Sequence, residues 1–136
     1  MMLPKLLLRS PLHSLMSSRL LLLTFTGRKS GKHYIIPISY VQVGQTLLLA
    51  SDRPWWKNLQ GGASLHLWLR GKQRTAVAEV LTDEAAVAEL YRTILAENPI
   101  QGRFMAISPG PDGRPDADDL RRALARGIAV IRLHLD

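Results

Sequence analysis

The apolar residues of this chain fall into short, strand-like runs as far as residue 81, and helical spacing begins only after it. Arg19–Thr26 is a continuous apolar run, which is typical of a central strand. Ser64–Arg70 alternates apolar and polar positions, as a strand with one buried face does. His33–Val41 is also strand-like but contains Pro37. Because proline has no backbone N–H, this residue indicates an edge strand or a bulge.

Short turns join most of these runs, and short connections are typical of antiparallel strands. We therefore predict an α+β protein, mainly antiparallel, in which six strands close into a small barrel with two to three helices packed outside. At 136 residues the chain is long enough for one such domain over residues 1–136. The remaining predicted elements are strands Thr46–Ser51, Gln73–Leu81 and Ile128–Leu135, a helix Glu84–Glu97, and a second helix from Asp116 or Asp118 to Ala125, followed by Gly127.

The composition is that of an ordinary globular protein and excludes several kinds of chemistry. Hydrophobic residues make up 46% of the chain and charged residues 21%, which argues against disorder. Cysteine is missing from the sequence, so disulfides, thiol catalysis and cysteine-based metal sites are excluded, and a cytoplasmic location is expected. The four histidines are scattered without metal-ligand spacing, and we predict no metal site.

The net charge of +7 can attract nucleic acid, anionic lipid or a small anion. Most cations are dispersed, aromatic residues make up only 6% of the chain, and no basic recognition helix is visible. We therefore predict a small-molecule partner and no nucleic acid.

The leucine-rich segment Met1–Ser18 has two interpretations. Arg9 and Pro11 interrupt its apolar run, which is too short to cross a bilayer, and no signal-peptide cleavage site follows it. It is either a helical segment docked on the barrel or a peripheral contact with a membrane surface, and its few cations favour docking.

The loop Gly27–Lys32 packs three cations, one hydroxyl and two glycines between two predicted strands. Glycine allows a tight turn and exposes backbone N–H groups, and Arg28 and Lys29 supply charge-assisted donors, so the loop suits a phosphate. A solvated hairpin tip is the alternative. A Walker A loop is excluded because only three residues separate Gly27 from Gly31 and no helical pattern follows.

A second cluster, Ser51–Leu59, contains the adjacent residues Trp55 and Trp56. Adjacent side chains cannot share one helix face, so one tryptophan is expected in the core while the other covers a pocket or an interface. Asn58 offers both a donor and an acceptor. A short helix that plugs one end of the barrel is the alternative. Neither a nucleophile elbow nor a catalytic side chain is recognised, so a cofactor would carry any reaction.

Together, Leu22–Lys32, Pro37, Tyr40 and Trp55–Leu59 resemble the deazaflavin-dependent nitroreductase family. The resemblance runs from about Leu12 to Glu79. It implies the split β-barrel fold of flavin-binding proteins, a homodimer, and coenzyme F420 as cofactor. It also implies hydride transfer from reduced deazaflavin to a quinone, a nitro compound or another activated double bond. An FMN-binding oxidoreductase of the same fold and a non-enzymatic carrier of a hydrophobic or anionic ligand are the alternatives.

The resemblance also implies roles for individual residues. Tyr34 stands where the family often has arginine, so the phosphate site either lacks one ligand or gains a phenol donor. The implied set consists of Arg28, Lys29, Ser30, Gly31 and Lys32 around the phosphate and the oligoglutamate tail, of Ile36, Pro37 and Ile38 against the ring, and of Ser51, Trp56, Lys57 and Asn58 on the other side of the ring pocket.

Overall fold

The computed structural model describes residues 20–136, and seven strands of this part form one antiparallel sheet. The strands are β1 Leu20–Thr26, β2 His33–Ser39, β3 Val41–Val43, β4 Thr46–Ser51, β5 Ser64–Leu69, β6 Lys72–Leu81 and β7 Ala129–Leu135. The order across the sheet is β2-β1-β5-β6-β7-β4-β3, so β2 and β3 are its two edges. The predicted N-terminal segment Met1–Ser18 lies outside the described residues.

The helices begin and end at residues that satisfy their free backbone groups. They are the 3₁₀ helix Pro54–Leu59, α1 Glu84–Glu97, α2 Pro99–Phe104 and α3 Ala117–Arg126. Asp83 accepts a hydrogen bond from the Ala86 N–H at the start of α1, and Asp116 caps α3 in the same way. Gly127 follows α3 with a φ of 97°, a left-handed conformation that favours glycine.

The helix α2 was not expected, because Pro99 ends α1. Proline is nevertheless tolerated in the first turn of a helix, where its missing N–H would have no partner in any case. Pro99 therefore separates two helices instead of starting a loop.

The two faces of the sheet bury separate apolar clusters. Alternate residues of β1 and β5, such as Leu21, Leu23 and Leu67, pack inside with residues from β4, β6 and β7. One cluster can contact so many strands only if the sheet curls around it, and the result is a split β-barrel. The opposite face of β4 and β7 packs against α1 and α3. The predicted fold class is therefore confirmed.

The strand count is seven, not six, because His33–Val41 forms two strands. Ser39 still pairs with Leu20 of β1, whereas Val41 pairs with Leu48 of β4. The chain thus changes its partner strand at the buried Tyr40. Pro37 lies on β2, an edge strand, as predicted.

Candidate functional site

The basic loop Gly27–Lys32 is a tight turn between β1 and β2. The Gly27 N–H donates to the Lys32 carbonyl at 2.8 Å, and the Gly31 N–H donates to the Gly27 carbonyl at 2.9 Å. A Cβ added at Gly27 would lie 2.7 Å from Ser30 Oγ, and Gly31 has a φ of 71°. Both glycines are therefore needed for the shape of this loop.

Asn58 joins the basic loop to the 3₁₀ helix. Its Oδ1 accepts from the Arg28 N–H at 2.8 Å, and its Nδ2 donates to the Trp55 carbonyl at 2.9 Å. The Arg28 guanidinium donates to the Lys57 carbonyl at 2.9 Å. The two clusters noticed in the sequence are therefore in direct contact, and Asn58 is a brace between them.

A first cleft of about 980 Å³ opens between the basic loop and the 3₁₀ helix. The cations Arg28, Lys29 and Lys57 line it together with Ser30, and all three cations are exposed. No acidic side chain of the described residues is among its walls. A cleft with this charge attracts phosphate or carboxylate groups.

Three aromatic rings form a row along the first cleft. The Tyr34 and Phe25 ring centroids lie 5.3 Å apart at an interplanar angle of 20°, and those of Phe25 and Trp55 lie 5.6 Å apart at 27°. Phe25 and Tyr34 are directly opposite each other on β1 and β2. Such cross-strand aromatic pairs stabilise a sheet, and here they also give the cleft a flat apolar wall.

A second cleft of about 390 Å³ adjoins the first and shares the walls Ile36 and Trp55 with it. It lies between edge strand β2, strand β4 and helix α2, and no charged side chain of the described residues lines it. Its other walls include Pro37, Ile38, Ala50, Ser51, Gln101, Phe104 and Met105. Such walls suit a flat, neutral ring.

The residues implied by the resemblance are divided between the two clefts. Gly31, Lys32 and Trp56 are among the walls of neither. The remaining ones line the first cleft (Arg28, Lys29, Ser30, Tyr34, Ile36, Lys57, Asn58) or the second (Ile36, Pro37, Ile38, Ser51).

The two adjacent tryptophans have different environments, as their spacing predicts. Trp56 is only 8% exposed, packs in the inner cluster and donates from Nε1 to the Gly127 carbonyl at 3.1 Å. Trp55 lines both clefts. Trp55, not Trp56, is thus the tryptophan that the structure places in the cleft.

Sequence reasoning assigned no individual site role to Phe25 or to the residues of α2, and it placed Trp56 instead of Trp55 among the site residues. Phe25 could have been found, because Phe25 and Tyr34 are symmetric about the predicted turn and must pair if Thr26 pairs with His33. The α2 residues could not, since that helix was itself not predicted.

Two further properties concern the described residues only. Residues 20–136 contain no group of three or more His, Asp or Glu side chains that could hold a metal ion. None of their helices is long and apolar enough to cross a membrane.

The curled antiparallel sheet with its flanking helices defines a protein of the split β-barrel class. The chain belongs to the F420H(2)-dependent quinone reductase family, whose model matches residues 11–107. The family consists of oxidoreductases that depend on reduced F420, which confirms the predicted family, enzyme class and cofactor. No curated protein matches the chain in sequence.

Solved structures show the same fold at low sequence identity. An F420-H2 dependent reductase, FDR-A, is 16% identical with a TM-score of 0.57, and the match covers 85% of this chain and 93% of that one. A domain-swapped dimer is 15% identical with a TM-score of 0.56, and the match covers 96% and 98%. A Listeria innocua protein assigned as a pyridoxamine 5′-phosphate oxidase is 12% identical with a TM-score of 0.54, and the match covers 91% and 90%.

Proposed function

We propose that this protein transfers a hydride from reduced F420 to a quinone, a nitro compound or another activated double bond. The observation that carries the proposal is that a cationic cleft and an uncharged cleft lie side by side and share the walls Ile36 and Trp55. F420 has an anionic tail, which suits the cationic first cleft, and a flat ring, which suits the uncharged second cleft. The residues present therefore fit the group.

The basic loop would hold the phosphate and the oligoglutamate tail. The Arg28 backbone N–H is bound to Asn58, and one guanidinium nitrogen is bound to the Lys57 carbonyl, which fixes the side chain at the cleft. The remaining guanidinium donors and the Lys29 ammonium can then bind an anion. Tyr34 would offer its phenol where the family often has a guanidinium.

The uncharged cleft would hold the reacting rings. Ile36, Pro37 and Ile38 of β2 would pack against one face of a flat ring. Ser51 of β4 is another wall of the same cleft. When bound, the reduced deazaflavin supplies the hydride. The side chains bind and orient the rings and exclude water, and no protein nucleophile is required.

Two further expectations belong to this proposal. The fold of a domain-swapped dimer among the similar structures supports a homodimer. A cytoplasmic location, with Met1–Ser18 either docked or touching a membrane surface, also stays a prediction.

A titration of the purified protein with F420, FMN and haem tests the proposal. We expect F420 to bind with an affinity that falls steeply as salt is added, because screening weakens the contacts to the tail. Oxidation of reduced F420 should then depend on an added quinone or nitroarene. Tight FMN binding without F420 binding would contradict the proposal, and failure of all three ligands would favour a carrier.

A further inference from the structure

Helix α2 places a buried carboxamide in the wall of the second cleft. Gln101 is only 7% exposed and lines the cleft next to Phe104 and Met105. Burying an amide among apolar groups costs free energy unless its donors and acceptors are bonded. The bonds that Gln101 makes therefore indicate what it is positioned to do.

Tyr91 of α1 fixes the orientation of this amide. The buried Tyr91 hydroxyl donates a hydrogen bond to Gln101 Oε1. Burial raises the pKa of Tyr91, so the hydroxyl keeps its proton and acts as the donor. Because Oε1 accepts this bond, the Nε2 end of the amide does not take part in the contact with Tyr91.

Nε2 of Gln101 has no hydrogen-bond partner among the described residues. The bonds of the Gln101 side chain within residues 20–136 are made by Oε1, and none is made by Nε2. This amide nitrogen carries two N–H donors. Nε2 is not among the fully buried, unpartnered side-chain atoms of residues 20–136, so it is accessible from outside the core although the residue as a whole is buried. Tyr91 fixes one end of the amide, and the other end can donate to an external acceptor.

The position of Gln101 is set by close packing of α2. A Cβ added at Gly102 would lie 2.5 Å from the Leu95 side chain and 2.6 Å from the Ile107 carbonyl. The Ile107 N–H donates to the Gly102 carbonyl at 2.8 Å. The helix therefore lies directly on α1, and Gln101 cannot withdraw from the cleft without breaking this contact.

We propose that Gln101 Nε2 donates a hydrogen bond to a carbonyl oxygen of the acceptor bound in the second cleft. Gln101 is then a specificity-determining residue that favours quinone-like rings over hydrocarbon rings of the same shape. A ring without the oxygen would leave Nε2 unpaired and would lose the affinity that this hydrogen bond provides. This inference rests on the proposed function, because that function places the acceptor beside the deazaflavin ring in this cleft.

Direct binding to the cofactor-free protein provides the first test. Purified protein is titrated with 1,4-naphthoquinone and with naphthalene while tryptophan fluorescence is followed, since Trp55 lines the cleft. The chain has no cysteine with which a quinone could react. We expect the wild-type protein to bind the quinone about three- to tenfold more tightly, the usual effect of one hydrogen bond.

The decisive variant is Gln101→Met, which keeps the length of the side chain and removes its donors. It should bind the two probes equally, whereas Gln60→Met, a matched change in the first cleft only, should keep the preference. If Gln101→Met does not fold, Tyr91→Phe removes only the orienting hydroxyl and should reduce the preference. An unchanged preference in the folded variant, or no preference in the wild type, would overturn the inference.

Kinetics with reduced F420 and 1,4-naphthoquinone separate the acceptor from the cofactor. We expect Gln101→Met to raise the KM for the quinone about tenfold while the Kd for F420 changes less than about twofold. A weaker Kd with an unchanged quinone KM would assign the amide to the cofactor and overturn the inference. If the wild type does not bind F420, the proposed function fails, but the probe titration still decides the role of Gln101.

Discussion

Among residues 20–136, three cations line the first cleft and no charged side chain lines the second, although both share the walls Ile36 and Trp55. The cations come from the β1–β2 loop and the 3₁₀ helix, where the chain is exposed to solvent. The walls of the second cleft come from strands and from a helix packed on the core. Exposed turns can vary in charge without disturbing the core, whereas packed elements limit a site to apolar and neutral residues.

The two clefts can therefore contribute to ligand binding in different ways. The first cleft can supply binding energy through charge, which depends on salt. The second cleft can select by shape and by a few neutral polar groups, which depend little on salt. Changes in one cleft should therefore leave the other largely unaffected.

The largest effect is expected from Arg28→Ala combined with Lys29→Ala. Each side chain supplies a charge-assisted donor to an anion, so each loss should weaken F420 binding about tenfold and the double change about 100-fold. A fluorescence titration at low and high salt measures this, and the salt dependence should become shallower in the variant.

Lys72→Ala is the matched control for each single change, because it also removes one exposed positive charge, but from a position outside both clefts. It should leave the affinity for F420 nearly unchanged. An equal loss in the control would mean that net charge, not the first cleft, governs binding.

The sequence predicts the first cleft better than the second. Glycines and cations of one turn are contiguous, so Gly27–Lys32 can be recognised as a candidate anion-binding loop without knowledge of the fold. Trp55–Leu59 is distant in sequence, and its contact with Arg28 depends on the sheet order, which strand patterns alone do not determine. The strands themselves were predictable because alternating residues such as Leu65 and Leu67 have one buried face.

The second cleft depends on tertiary packing. Gln101 and Phe104 lie on α2, a short helix held by the contact of Gly102 with Leu95. The helix begins at Pro99, and a proline in the sequence usually indicates the end of a helix. No local pattern reveals such a contact. The assignment of the adjacent tryptophans had the same limit, since spacing separates Trp55 from Trp56 but does not say which one faces the core.

A smaller effect is expected when the brace between the two clusters is removed. Asn58→Ala breaks the bonds to the Arg28 N–H and the Trp55 carbonyl, and it should lower the free energy of unfolding by about 1.5 kcal/mol. Urea unfolding measures the change. Asn58→Asp keeps the acceptor for Arg28 and should lose about half as much. An unchanged free energy of unfolding in Asn58→Ala would show that Asn58 is not a brace.

A charge placed in the uncharged cleft should weaken the binding of the acceptor and leave the binding of the F420 tail unchanged. Phe104 is 84% exposed, so Phe104→Lys should fold normally, and it should raise the KM for 1,4-naphthoquinone about threefold by adding charge to an apolar wall. Ile100→Lys is the matched control, because Ile100 is 48% exposed on the same helix but is not among the walls of the cleft. Equal changes in the two variants would contradict the proposed role of the second cleft.

The smallest effect concerns a charge cluster that lines neither cleft. Arg132 donates two hydrogen bonds of 2.9 Å to the Glu79 carboxylate, and His134 lies 3.0 Å from it. The bonds from Arg132, followed by the one from His134, hold the pKa of Glu79 below its usual value. A depressed pKa in the folded state stabilises the protein above the unfolded-state pKa, and this stabilisation is lost as the pH falls through the folded-state pKa.

Glu79→Gln should therefore lower the free energy of unfolding near neutral pH, and the difference from the wild type should shrink as the solution is acidified. Because the Glu79 side chain is 44% exposed, solvent screening should keep the difference below about 1 kcal/mol. Urea unfolding between about pH 7 and about pH 3 measures it. The affinity for F420 at neutral pH should not change, since this cluster is separate from both clefts. A loss of affinity comparable to that of the Arg28 and Lys29 variants would show that charge outside the first cleft also binds the cofactor.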